Sequence, residues 1–139
     1  MGNIYNDYKK GGLNMRDKVA FYRCSLCGNM VELIKEGGGE LVCCGKPMNK
    51  LEANTTDAAT EKHVPVATRE NGKIVAQVGS VPHPMIPEHY IEWIAVVSDE
   101  GVERIHLNPG EEPKAIFCNK ENVDVYEYCN LHGLWKSSI

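Results

Sequence analysis

The 139-residue chain carries a net charge of −4, with 42% hydrophobic and 24% charged residues. That balance suits one ordinary domain, or a small module beside a domain of roughly 90 residues. It argues against a nucleic-acid partner, which needs a basic face, and no stretch approaches the ~20 apolar residues that span a bilayer.

Residues 1–14 (MGNIYNDYKKGGLN) are polar, contain a Gly-Gly pair and lack the apolar core of a secretory signal. They read as most of a disordered extension over 1–17, and Met15 is a candidate start. The expected setting is cytoplasmic and reducing, where six cysteines point to metal binding or redox chemistry rather than to a disulfide framework.

Residues 18–50 form the first expected domain. Its apolar runs are short, and Gly37, Gly38 and Gly39 are placed to join 31–34 to 41–43 as a hairpin. So small a unit needs a staple, and a metal is the physical expectation. Residues 51–60 (LEANTTDAAT) are small and polar and read as a linker.

The second domain, 61–139, shows short β-rich runs at 64–67, 74–78, 90–97, 102–107, 115–118 and 123–128. Asn71-Gly72 and Asn108-Pro109-Gly110 mark turns. In 90–97, strict alternation sets Ile91, Trp93, Ala95 and Val97 against Tyr90, Glu92, Ile94 and Val96. Both faces are largely apolar, which suits a strand inside a sandwich. With no long amphipathic helix, the whole chain reads as all-β, with a sandwich in its second domain.

Two ligand sets stand out. Cys24-x-x-Cys27 followed by Gly28 is a knuckle, in which two thiolates three positions apart grip one metal. Its partner pair, Cys43-Cys44, is adjacent rather than spaced. Adjacent Cα atoms lie about 3.8 Å apart, below the ~4.4 Å lower end for disulfides, so a vicinal bridge would be strained. Both cysteines can reach one metal, on this reading by distorting the tetrahedron. Iron and zinc both accept four sulfurs, and spacing does not choose between them.

The second set is His63, His83, His89, Cys129 and His132. Pro65, Pro82 and Pro84 restrict the backbone around His63 and His83. Cys129 and His132, three apart, chelate from a single turn. A closed structural zinc site uses four ligands, whereas five nitrogen and sulfur donors leave an octahedral iron one open position. His106 reads as solvent-facing, and Cys118, within an apolar run, as a small buried hydrophobe.

The motifs EKHVP (61–65), GSVPHPM (79–85), EHYIEWI (88–94) and EYCNLHGLW (127–135) resemble the catalytic domain of superoxide reductases. CSLCG (24–28) with ELVCCGKPM (40–48) resembles the desulforedoxin-like domain that precedes it in desulfoferrodoxins. The resemblance covers about residues 19–136, in order. It implies a four-cysteine iron domain followed by an immunoglobulin-like β-sandwich, and two non-haem irons per chain. One iron would sit on Cys24, Cys27, Cys43 and Cys44; the other on an equatorial ring of His63, His83, His89 and His132 with Cys129 axial. It further implies one-electron reduction of superoxide to hydrogen peroxide, electrons from rubredoxin, and a homodimer. Lys62 would attract the anion and help proton delivery, and Glu61 would occupy the sixth position in the resting state. For Glu61, Lys62 and His63 all to serve the site, 61–63 should be a flexible loop. The rival readings are a zinc-bound structural module and a pure electron carrier using only the four-cysteine iron.

Overall fold

The computed structural model describes residues 14–139, which fall into two compact units, one ending at Glu52 and the other spanning Ala53–Ile139. The expected extension lies mostly outside the described residues. Its last part is ordered: α1 (Met15–Lys18) is one helical turn, capped by the Asn14 side chain accepting from the Asp17 N–H.

In the first unit, β1 (Phe21–Arg23) is flanked by β2 (Met30–Glu32) and β5 (Asn49–Lys50), while β3 (Val42–Cys43) and β4 (Lys46–Pro47) form a separate ribbon. The hairpin expected between 31–34 and 41–43 is therefore not made. β2 pairs with β1 instead, and the Leu33 N–H continues that edge by donating to Ala20. The 41–43 segment folds back on its own sequel, with Cys43 opposite Lys46 across Cys44-Gly45. Both turn residues have positive φ, 54° and 74°, as the two-residue hairpin turn demands. Turn chemistry local to the cysteines outweighs the apolar pattern.

The second unit opens with α2 (Thr60–His63) and continues as seven antiparallel strands: β6 (Pro65–Glu70), β7 (Lys73–Val78), β8 (Ile91–Ser98), β9 (Gly101–His106), β10 (Lys114–Cys118), β11 (Asp124–Cys129) and β12 (Gly133–Ser138). They form a three-stranded sheet, β10-β7-β6, and a four-stranded sheet, β12-β11-β8-β9. This is the three-plus-four strand count of an immunoglobulin-like sandwich. Ile74, Ala76, Val78, Ala115 and Phe117 from one sheet meet Ile94, Val96 and Val125 from the other in one buried cluster. Two strands depart from the sequence reading. β12 had no counterpart, because Leu134 and Trp135 are both buried and break its alternation. In β8 the register slips between Tyr128/Trp93 and Cys129/Ile91, an extra residue that turns Ile91 into the cluster with Ile94 and Val96.

Cys118 is exposed, not buried. Period-two alternation in β10 sends Ala115 and Phe117 inward, so Cys118 points out with Lys114 and Ile116. His106 is exposed, and no described helix is long and apolar enough to cross a membrane.

Candidate metal centres

Because the strands are antiparallel, the start of β6, the end of β7, the start of β8 and the β11–β12 turn all lie at one end of the sandwich. The second ligand set gathers there. His63 closes α2, His83 and His89 come from the β7–β8 connection, and Cys129 ends β11. His63, His83, His89 and Cys129 bring one donor atom each within 4.8 Å of one another. His132 joins them, its Nδ1 3.1 Å from His63 Nε2 and 3.9 Å from Cys129 Sγ. The three-residue loop between Cys129 and Gly133 is closed by Gly133 at φ 81°, where a Cβ would also meet the Thr56 hydroxyl at 3.2 Å.

The tautomers follow from the hydrogen bonds. His63 Nδ1–H donates to the Ala59 carbonyl and His83 Nδ1–H to the Pro84 carbonyl, both at 2.7 Å. Their Nε2 lone pairs therefore face each other at 3.2 Å. Burial lowers the pKa of His63 and His89, and takes His83 down to about 4. Neutral His63 and His83 have committed their one ring proton each to a carbonyl, so no proton is left to lie between their Nε2 atoms. His89 Nε2 is buried with no hydrogen-bond partner among the described residues. Opposed lone pairs and an orphaned buried nitrogen are satisfied together by a cation. Donors at right angles on bonds of ~2.1 Å stand about 3 Å apart, and the His63 spacings to His83 and His132 are 3.2 and 3.1 Å. The set fits an ion bound on nitrogen from several sides, with the Cys129 sulfur 3.5 Å from His83 Nε2.

The four-cysteine set passes the same test. Four sulfurs around one ion on bonds of ~2.3 Å lie about 3.8 Å apart. Cys27–Cys43 and Cys43–Cys44 are 3.6 and 3.9 Å apart, and all six cysteines are free. Cys44, at φ 54°, turns the backbone so that the adjacent pair faces the same point as Cys24 and Cys27. Backbone N–H groups of Cys27 and Leu26 draw the Cys24 thiol down to about 6, while crowding by the Cys27, Cys43 and Cys24 sulfurs pushes Cys44 up to about 12. One thiolate forms readily and the fourth is opposed by its neighbours, which a bound cation relieves. Asn29 ties the two halves together, its backbone N–H donating to Cys27 Sγ and its side-chain amide to Cys43 Sγ.

Glu61 and Lys62 lie on the turn of α2, not in a loop, with exposed side chains beside buried His63. One helical turn places consecutive side chains about 100° apart, so the opposition expected of an extended segment does not arise. The Lys62 charge disfavours a further positive charge on His63 and His89, and the Glu61 charge favours one on His63.

Four supporting residues were not identified from sequence. Trp135 stacks on His63 (ring centroids 5.0 Å apart) and donates from Nε1 to the His132 carbonyl. Asn130 accepts from the Tyr90 N–H and donates to the Glu88 carbonyl, fastening the His89 segment to the Cys129 turn. Asn54, in the stretch read as a linker, exchanges two hydrogen bonds with the Lys136 backbone. Asn130 alone had a signal, as an amide lodged between two ligands. The fourth, Glu127, is fully buried in β11, and neither carboxylate oxygen has a hydrogen-bond partner among the described residues. Desolvation raises its pKa well above the usual carboxylate value. The folded chain then keeps a proton that the unfolded chain releases above ~4.3. Folding is increasingly opposed as pH rises between those two values. Glu127→Gln should change stability least in acid and raise it progressively towards neutrality. Urea unfolding of the iron-loaded chain between about pH 4 and pH 8 would read the difference.

The sequence profile of desulfoferrodoxins matches residues 55–138, and that of the desulfoferrodoxin N-terminal domain matches residues 16–51. The chain belongs to the desulfoferrodoxin family. A desulfoferrodoxin of Syntrophotalea carbinolica is 53% identical over 124 residues, covering 88% of this chain and 98% of that one. A superoxide reductase of Pyrococcus horikoshii is 36% identical, covering 66% of this chain and 97% of its own length. Among solved structures, the superoxide reductase of Treponema pallidum superposes with a TM-score of 0.70 at 31% identity, covering 86% of this chain and 98% of that one. The two family profiles fall on the two ligand sets, and iron is the ion both sets take.

Proposed function

We propose that this chain is a superoxide reductase, reducing superoxide by one electron to hydrogen peroxide. The observation that carries the reading is the convergence of four imidazoles and one cysteine sulfur at one end of the sandwich. His63, His83, His89, His132 and Cys129 would hold one iron, which when bound would supply the single electron, and Cys24, Cys27, Cys43 and Cys44 would hold the second. Burial favours the uncharged form of His63, His83 and His89. Trp135 stacks on the His63 ring, Asn130 holds the His89 segment to the Cys129 turn, and Cys129 would contribute negative charge once a cation is bound. Lys62, exposed on the α2 turn, would attract the anion and deliver a proton to product, and Glu61 beside it would be the residue that exchanges with the anion at the bound metal. A zinc-bound structural module has no use for a fifth donor, and a pure electron carrier has none for the histidine set.

The finer reading is a cytoplasmic homodimer fed by a rubredoxin-like donor. Free thiols suit a reducing compartment. In the first unit Leu26, Val31, Ile34 and Val42 are exposed, which suits association with a second copy. Sedimentation would report the mass. The decisive assay is peroxide formed per superoxide consumed by the reduced two-iron protein, expected at one. Half a peroxide per superoxide is dismutation and rejects the reading.

The two ligand sets share no residue and belong to different units. Cys44→Ser should therefore lose one of the two irons and some stability, yet react with superoxide at close to the wild-type rate when reductant is supplied directly. Pulse radiolysis with metal analysis would measure both, and a lost superoxide reaction would show the sites to be interdependent.

A further inference from the structure

The α2 turn carries Glu61 and Lys62 and is closed internally by the Lys62 N–H donating to the Ala59 carbonyl and the Val64 N–H to the Thr60 carbonyl. It has no side-chain cap at its N-terminus. The partner that helical geometry would assign to the Glu61 carbonyl is the N–H four residues on, at Pro65, which has none. That orphaned oxygen is taken up by the β7–β8 connection. The Val81 N–H donates to it at 3.0 Å, and the Ser80 hydroxyl at 3.2 Å. Gly79 is buried directly beneath. A Cβ there would lie 2.5 Å from the Glu61 oxygen and 2.9 Å from the Lys62 carbonyl carbon, both backbone atoms without freedom to yield. The Gly79 carbonyl is itself held by the Gln77 side-chain amide at 3.0 Å. Two hydrogen bonds to one carbonyl and a required absence of side chain make a cradle for the 61–62 peptide.

We infer that residues 79–81 are a positioning device for the Lys62 ammonium, with Ser80 as the positioning residue that holds the turn where the lysine faces the donor ring. The inference rests on the reading that Lys62 collects the anion. Val81 donates from the backbone, so it holds the carbonyl whatever its side chain; Ser80 supplies the contact that substitution can remove. A net hydrogen bond of ordinary strength shifts the seated population several-fold.

The test is a double-mutant cycle on the iron-loaded protein, using Ser80→Ala, Lys62→Ala and the pair, with superoxide generated by pulse radiolysis. Ser80→Ala should keep both irons, slow the second-order reaction about threefold and weaken its salt dependence, with Ser80→Thr restoring both. In the Lys62→Ala background the same change should do nothing further. Hydrogen exchange by mass spectrometry should rise over the peptide containing residues 61 and 62 in Ser80→Ala, independently of activity. If Lys62→Ala is slow but Ser80→Ala reacts at the wild-type rate with an unchanged salt slope, the cradle is overturned and the lysine reading stands. Full additivity of the two changes also overturns it, since Ser80 would then act elsewhere. If Lys62→Ala itself reacts at the wild-type rate, the reading beneath fails and takes the inference with it.

Discussion

Cys129→Ser is expected to abolish the thiolate-to-iron charge-transfer absorption of the histidine-bound iron, and Cys118→Ser to leave it intact. Cys129 is fully buried, with its sulfur 3.5 Å from His83 Nε2 and 3.9 Å from His132 Nδ1. Burial pushes its thiol pKa up, against the opposing pull of the Leu131 and His132 N–H groups. A cation is thus needed to keep it a thiolate at neutral pH, as metal-bound thiols are. Cys118 lies on the outward face of β10, its N–H bonded to Glu103. The measurement belongs in a Cys44→Ser background, so that absorption from the four-sulfur iron does not overlap the band. Survival of the band in Cys129→Ser and its loss in Cys118→Ser would put the sulfur ligand on the wrong strand.

Legibility in the sequence followed how local each constraint is. The ligands could be read because short motifs carry them: Cys24 and Cys27 share a knuckle, Cys129 and His132 a turn, and prolines flank His83. Six of the seven sandwich strands were legible from apolar runs between Gly, Asn and Pro turns. The supports were not, because their roles arise between segments far apart in sequence. Glu127 looks like one polar residue of an alternating strand until β11 is buried on both faces. Trp135 meets His63 across 72 positions, and Ser80 meets Glu61 only because Pro65 leaves that carbonyl open. Bulges are also hidden. The extra residue in β8 sits opposite Cys129, re-aiming the chain where the thiolate must point. The two misread cysteine contexts share a cause. An apolar neighbourhood suggested burial for Cys118 and strand pairing for 41–43, whereas strand period and turn chemistry decided both.

Lys62→Ala should keep both irons and a normal oxidised spectrum, yet slow the second-order reaction with superoxide about tenfold and flatten its dependence on salt. An ammonium offers no lone pair, so Lys62 is not a ligand and its loss leaves the donor set intact. Its side chain is exposed on the α2 turn, one residue before buried His63, and its charge is felt at His63 and His89. The protein is net negative, so attraction of a small anion has to be local rather than global. Two unit charges about 4 Å apart interact by about 1 kcal/mol in water and about 4 at an effective dielectric of roughly 20. At about 1.4 kcal/mol per factor of ten, that range spans roughly fivefold to several-hundredfold in local anion concentration. Exposure and salt screening pull the effect to the lower half of the range. The wild-type rate should accordingly fall as salt rises, despite the negative net charge. Pulse radiolysis across an ionic-strength series reads both quantities at once. A Lys62→Ala variant with the wild-type rate and the wild-type salt slope would make the lysine an ordinary solvated charge, and the attraction would have to come from the metal centre alone.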